Sequence, residues 1–223
     1  MRRIDYTGDG LLESDVLASP HLQVTAWVDE AVAAAETRAD VPEPTALSVA
    51  TVDATGAPDV RTVLMRFLDA RGPGFVTNLG SAKSTQIAGN SHIAASLTWP
   101  ALYRAIRFRG RAEPIGREEV GAYFRTRPYG SRLSAWASDQ SRPARDRAQL
   151  EAKWAEALER FPETGEPDEV PVPDFWGGWR IACDEVELWA GRTNRLHDRI
   201  VFTRVGAGDL ADAASWERER RQP

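Results

Sequence analysis

The segment Trp189-Ala-Gly-Arg-Thr-Asn-Arg195-Leu-His197-Asp198-Arg199 places three arginines and one of the chain's three histidines behind a tryptophan. In an extended segment alternate side chains share a face, so Arg195, His197 and Arg199 are expected to project together, with Leu196 and Asp198 opposite. Such a face carries two fixed positive charges and a titratable imidazole. Its chemistry is the binding of an anion or an electron-rich ring. The competing reading is an exposed, salt-bridged edge strand with no function.

Three further clusters carry similar chemistry. Arg61-Thr-Val-Leu-Met-Arg66 has arginines at both ends of a mainly apolar run. Thr77-Asn-Leu-Gly-Ser81-Ala-Lys83 reads as a turn feeding a helix N-terminus, where backbone N–H groups, hydroxyls and a lysine suit a phosphate. A plain serine cap is the commoner use of a residue such as Ser81. In Tyr123-Phe-Arg-Thr-Arg127-Pro-Tyr-Gly-Ser131, Tyr123 and Arg127 lie four apart and share a helix face, and a Pro128-Tyr-Gly130 turn can return Ser131 toward them. A phenol, a guanidinium and a hydroxyl are donors for a dianionic phosphate; the bland alternative is a helix end whose arginine favours the dipole. Two potential phosphate sites point to a phosphorylated cofactor and a phosphorylated substrate.

Composition narrows the class. The 223 residues carry a formal charge of -5, and the arginines are scattered, which argues against a nucleic-acid surface. Cys183 is the only cysteine, so an internal disulfide and Cys/His zinc spacing are both excluded, and no metal is expected. The opening Met1 to Tyr6 lacks the apolar run of a signal peptide, and no stretch reaches membrane-spanning length, so a cytoplasmic protein without membrane partners is expected. Only Lys83 and Lys153 are lysines, which makes each more informative than in an average chain. No GK[ST] follows Gly177-Gly178, the dinucleotide glycine pattern is missing, and no Ser or Cys stands in a nucleophile elbow. Cys183 reads as a small buried residue, and Trp154, Trp176 and Trp179 read as core.

The elements that must position these clusters are short. A helix is expected from His21 to about Arg38, with Val24, Trp27, Val28, Ala31 and Ala35 at helical spacing. The period then changes to two: strands over Ala46–Val52, Val60–Phe67 and Gly74–Thr77, a short helix opened by a capping Ser81, and strands over His92–Trp99 and Tyr103–Glu113. Helices follow at Arg117–Arg127 and Ala144–Phe161, then a loop over 162–174, and final strands at Phe175–Ala182, Glu185–Trp189 and Arg199–Arg204. Successive short antiparallel strands with a helical insertion predict an α+β fold, mainly β, built as a small antiparallel barrel with peripheral helices. One domain spans 1–223, with residues 1–20 expected as a mobile N-terminal segment.

In order along the chain, Glu43-Pro-Thr-Ala46, Val49-Ala-Thr-Val-Asp53, Arg61-Thr-Val-Leu, Thr77-Asn-Leu-Gly-Ser81 with Lys83, Tyr123-Phe with Arg127-Pro and Ser131, Ala135-Trp-Ala-Ser with Gln140-Ser141, Phe175-Trp-Gly-Gly178 and Arg195-Leu-His-Asp-Arg199 resemble the pyridoxine/pyridoxamine 5'-phosphate oxidase family. The likeness runs from about Arg3 to the C-terminus. It implies a split β-barrel homodimer with FMN in clefts between the subunits, oxidising a B6 5'-phosphate with O2 as acceptor. It implies that FMN is held by Arg61, Thr62, Val63, Leu64, Met65 and Arg66, by Val76 and Thr77, by Lys83, by Gln140 and Ser141, and by Trp189 and Arg199. The substrate would meet Arg66, Tyr123, Arg127 and Ser131 through its phosphate and Arg195 and His197 at its ring, with Arg3 and Tyr6 in a segment that closes over it. Arg195 and His197 are the implied catalytic pair. The chain departs from the family at Arg66, usually lysine, at Ala82, usually arginine, at Ala105, usually glutamine, and at Arg221-Gln222-Pro223, usually Leu-Ala-Pro. The loss at Ala82 removes a donor to the flavin phosphate, and that at Ala105 a contact to the flavin ring's polar edge. The alternatives are another flavin or deazaflavin oxidoreductase of the same superfamily, such as a phenazine-type oxidase, and a non-catalytic flavin or B6-phosphate binder.

Overall fold

In the computed structural model, which describes residues 5–166 and 168–223, a nine-stranded antiparallel sheet curls into a half-barrel with five α-helices around it. Helix α1 (Pro20–Thr37) begins at Ser19, whose hydroxyl accepts from Leu22 N at 3.4 Å, and has proline as its first residue, where the missing N–H costs nothing. Its stripe of Val24, Trp27, Val28 and Ala31 packs into the main core with Leu47, Val49, Phe75, Phe108 and Leu188. Strands β1 (Ala46–Val52) and β2 (Pro58–Leu64) form the expected hairpin, followed by β3 (Phe67–Asp69) and β4 (Gly72–Asn78).

Helix α2 (Ala82–Gly89) leads to β5 (His92–Trp99) and β6 (Arg104–Pro114). Three helices then form a second, smaller core: α3 (Arg117–Thr126), α4 (Tyr129–Ala137) and α5 (Arg147–Arg160), around Phe124, Leu133, Ala157 and Trp176. Helix α4 lies where the sequence predicts only a turn, because Pro128 is the residue before its first turn and Gly130 sits inside that turn. Strand β7 (Trp176–Ala190) is one continuous strand where two are expected. A bulge explains the expected break: Arg109 pairs with Glu185 and Gly110 with Cys183, so Asp184 is the extra residue.

The strand order is β2-β1-β5-β6-β7-β4-β3. Strand β7 pairs with β6 along its length, with β4 through Trp176–Arg180, and with β8 (Asp198–Arg204) through Glu185–Ala190. A charged strand that the sequence reading misses, β9 (Trp216–Arg220), covers the edge of β8. Cys183 is buried, and burial pushes its thiol pKa up, as befits a packing residue. Among the described residues no helix is long and apolar enough to cross a membrane.

Candidate active site

A cleft of about 740 Å3 opens between β2, β4, the start of α2 and the α3–α4 corner. Its lining brings together most of the sequence-predicted residues: Arg61, Thr62, Val63, Leu64 and Arg66 from β2 and its end, Val76 and Thr77 from β4, Lys83 from α2, Tyr123, Arg127 and Ser131 from α3 and α4, and Gln140 beyond. That volume lies within the range of small-molecule and cofactor sites.

Each cation here has a definite setting. Arg61 is held rigidly, with Nη1 donating to Thr51 Oγ1 at 2.6 Å and Nη2 to Asp59 Oδ2 at 2.6 Å and Gln86 Oε1 at 2.9 Å. Lys83 is buried, and its Nζ donates to Gln140 Oε1 at 2.9 Å, Thr77 Oγ1 at 3.2 Å and Ser81 Oγ at 3.4 Å, all uncharged acceptors. Burial and then the nearby Arg61 charge lower the Lys83 pKa, against a smaller opposing pull from Asp59. Ser81 occupies the N-cap position of α2, but its hydroxyl does not cap; it joins Lys83, Ser84 and Thr77 instead, which corrects the expected capping role.

At the opposite wall Arg127 follows the last residue of α3, its guanidinium 4.9 Å from the Trp176 ring centroid and 5.5 Å from that of Phe124. Its Nη1 is buried with no hydrogen-bond partner. Burial lowers the Arg127 pKa, with Tyr123 opposing and Arg66 reinforcing. Tyr123 stacks on Trp176 at 6.3 Å, and Ser131 sits in the first turn of α4 rather than on a free turn. Among the described residues the Arg66 guanidinium, the Tyr123 hydroxyl and the Ser131 hydroxyl have no hydrogen-bond partner. An orphaned buried guanidinium N–H, a buried ammonium bonded only to neutral acceptors and idle hydroxyls together form a donor set for phosphates, and so fit a phosphorylated cofactor and substrate.

The remaining predicted residues lie elsewhere. None of Tyr6, Trp189, Arg195, His197 and Arg199 lines this cleft. Val76 pairs with Gly178, and Trp189 lies eleven residues further along β7 (178 to 189), roughly 35 Å of extended strand. There Tyr6 packs edge-on against Trp189 at 5.8 Å, His197 at 5.3 Å and Tyr103 at 5.3 Å. His197 Nδ1 accepts from Arg192 N at 3.1 Å, so the neutral ring carries its proton on Nε2. Arg195, His197 and Arg199 do not share a strand face. Thr193–Arg195 is a 3-10 turn with left-handed Asn194 (φ 57°) and Arg195 (φ 61°), and β8 begins only at Asp198. Arg195 stands exposed with no partner among the described residues.

Arg199 grips Glu187 with both prongs of its fork, Nε to Oε1 at 2.8 Å and Nη2 to Oε2 at 2.9 Å, which raises its pKa, and Nη1 donates to Gln222 O at 2.9 Å. Burial opposes the ionisation of Glu187, yet Arg199 and Arg107 hold its carboxyl below the usual range. The sequence reading misses Glu187; its alternation with Glu185 is visible in the sequence, but that the two stand opposite Arg107 and Arg109 comes from the strand register. Met65 turns into the main core, and Ser141 lines a neighbouring cleft. Arg3 lies outside the described residues.

A curled split half-barrel with a cleft of cationic and hydroxyl donors against its helices matches the class of FMN-binding split-barrel proteins. Residues 33–161 match the family model described as pyridoxamine 5'-phosphate oxidase, and residues 176–223 match the pyridoxine 5'-phosphate oxidase C-terminal dimerisation region. The chain therefore belongs to the pyridoxamine 5'-phosphate oxidase family. It is 45% identical over 223 residues to the pyridoxine/pyridoxamine 5'-phosphate oxidase of Kineococcus radiotolerans, covering 100% of this chain and 97% of that one. It is 43% identical to that of Rubrobacter xylanophilus, covering 99% and 94%. Among solved structures, PhzG from Burkholderia lata 383, in complex with tetrahydrophenazine-1-carboxylic acid, superposes with a TM-score of 0.82 at 27% identity, covering 97% of this chain and 100% of that one.

Proposed function

We propose that this protein binds FMN and oxidises pyridoxine 5'-phosphate or pyridoxamine 5'-phosphate to pyridoxal 5'-phosphate, with dioxygen as acceptor and hydrogen peroxide released. The observation that carries the reading is the cleft itself, with Tyr123, Arg127 and Ser131 on one wall, Arg61, Thr77 and Lys83 on the other, and Arg127 Nη1 buried without a partner. The full-length likeness to relatives bearing that name supports it.

The alcohol substrate gives up two electrons and two protons at the carbon that becomes the aldehyde, and dioxygen takes them as peroxide; the amine also consumes water and releases ammonia. FMN, when bound, supplies the two-electron acceptor that no side chain offers. Arg61, Thr77, Lys83 and Gln140 would hold the cofactor, and Arg61 or Arg199 would offer a fixed positive charge beside it. Arg127, Tyr123, Ser131 and Arg66 bind the substrate phosphate. Arg195 and His197 would orient the substrate ring, and His197 Nε2 would move a proton.

This assignment requires a homodimer. Within one protomer the cleft lacks Tyr6, Trp189, Arg195, His197 and Arg199, so a second copy, docked through the 176–223 region, must bring its own set to the cleft. The test is an aerobic assay with added FMN, reading pyridoxal phosphate and peroxide from the two B6 phosphates and from unphosphorylated pyridoxine. Turnover of the phosphates alone is expected. A flavin-loaded dimer that turns over neither phosphate but oxidises a reduced tricycle would overturn the substrate assignment in favour of a phenazine-type oxidase.

A further inference from the structure

A second cleft, of about 750 Å3, lies on the other flank of α2, between the Asp53–Gly56 turn of the β1–β2 hairpin and the stretch after α4 that holds Ser141 and Arg142. Among the described residues its lining includes one cation, Arg142, and one carboxylate, Asp53. Asp53 is occupied by its own turn, its Oδ1 accepting from Thr55 N at 2.8 Å, Thr55 Oγ1 at 2.6 Å and Ala57 N at 3.0 Å. Arg142 is exposed, and among the described residues its guanidinium has no hydrogen bond or ion pair.

The two clefts meet along a seam. Lys83 lines the first and Ala82 the second; Gln140 lines the first, while Ser141 and Arg142 line the second. Arg61 in the first donates to Gln86 in the second at 2.9 Å. Gln140 is pinned at this seam, accepting from Lys83 Nζ at 2.9 Å and from Thr77 Oγ1 at 2.8 Å. Ser141 turns the chain there through a left-handed backbone (φ 70°). Arg142, two residues on, is therefore at most about 7 Å of chain from that anchor, which an arginine side chain spans.

A dianionic phosphate at the seam would find few charged donors. Arg61 is already committed to Asp59 at 2.6 Å, and the first residue of α2, Ala82, presents only a methyl group to the second cleft. Lys83 is the other cation bonded at the seam, through Gln140, whereas Arg66 and Arg127 lie near one another elsewhere in the first cleft. The geometry points to Arg142 as a ligand of the cofactor phosphate, reaching over the seam from the second cleft and supplying the charge that the methyl group of Ala82 cannot. This inference rests on the FMN reading above.

The test titrates apoprotein with FMN and with riboflavin, which has the same ring and no phosphate, following flavin fluorescence. Arg142→Gln is expected to weaken FMN about tenfold and to change riboflavin by less than about twofold. Arg142→Lys should recover part of the loss, and adding Ala82→Arg to Arg142→Gln should restore FMN affinity without altering riboflavin. A wild type that prefers FMN to riboflavin together with an unchanged Arg142→Gln variant would overturn this inference and leave the cofactor reading standing. Equal losses for both flavins would also overturn it. A wild type that binds neither flavin would overturn both.

Discussion

The cations of the main cleft and those at the far end of β7 differ in what they hold. Arg199 is locked by a buried carboxylate and a backbone carbonyl, and Arg220 by Glu13 and Asp198. Arg127 has a buried N–H with no partner, Arg66 has none among the described residues, and Lys83 touches only neutral oxygens. Positive charge matched by carboxylates serves as scaffold. Charge buried without a counterion costs stability until an anion arrives. The under-paired Arg66, Lys83 and Arg127 are therefore the cations suited to phosphates and the paired Arg199 and Arg220 a rigid scaffold, while Arg61, paired with Asp59, and Arg195, exposed with no partner among the described residues, are the exception in each region.

The contrast can be broken most severely at Arg199. Arg199→Ala leaves Glu187 buried with only Arg107 and the weaker charge of Arg221 nearby, and a loss of about 3 kcal/mol is expected, the low end for a broken buried pair because these charges remain; chemical denaturation with unchanged m-value would show it. Arg127→Ala should do the opposite in kind. The fold should survive or gain stability, while kcat/KM for pyridoxine phosphate falls roughly 10- to 100-fold from the lost charged donor and flavin content stays constant. If both variants behave alike, pairing does not separate scaffold from site.

Smaller effects sharpen the distinction. Ala82→Arg should tighten FMN binding by about tenfold, and Lys83→Ala should weaken it, more in the parent than in the Ala82→Arg background because neighbouring donors to one phosphate do not act independently. Arg195→Ala and His197→Ala should lower turnover with bound-flavin absorbance nearly unchanged; normal turnover in both would remove them from the site. The weakest signal is in pH. Burial and Arg61 lower the Lys83 pKa below its ordinary 10.5, so phosphate affinity should fall as pH rises through a window opening beneath that value. Lys83→Arg should close the window. The apoprotein carries the opposite sign: in that window the unfolded chain binds more protons at Lys83, so this group's contribution to stability improves as pH rises.

Much of the fold was legible because its elements obey simple periods. Strands β1 and β5 fall where alternation places them, and α1 shifts by a single residue at each end from the expected span. The failures have local causes. Glycine inside the first turn of α4 mimics a turn, and β9 hides because its Glu-Arg-Glu-Arg run resembles a solvated tail. The cleft residues were individually readable, since Lys83, Tyr123 and Arg127 sit at a helix start or on one helix flank. The Arg195–Arg199 geometry was not, because two left-handed residues intervene that no period announces. Partner choice was equally opaque: nothing in the order Glu187, Arg199 says that they meet.

The extra residue at Asp184 has a consequence for what the chain tolerates. Before it, Ile181 and Cys183 face the core; after it, Val186, Leu188 and Ala190 do, so the inward set passes from odd to even positions. Asp184 acts as a phase shift that lets one beam serve two packing patterns. Deleting that single residue would leave Ile181, Cys183, Val186, Leu188 and Ala190 in simple alternation along one regular strand, so each inward side chain would keep its face and only the local bend of the bulge would be lost. A one-residue deletion at the exposed Asp184 should thus be tolerated far better than one elsewhere in β7, where every residue beyond the gap would change face.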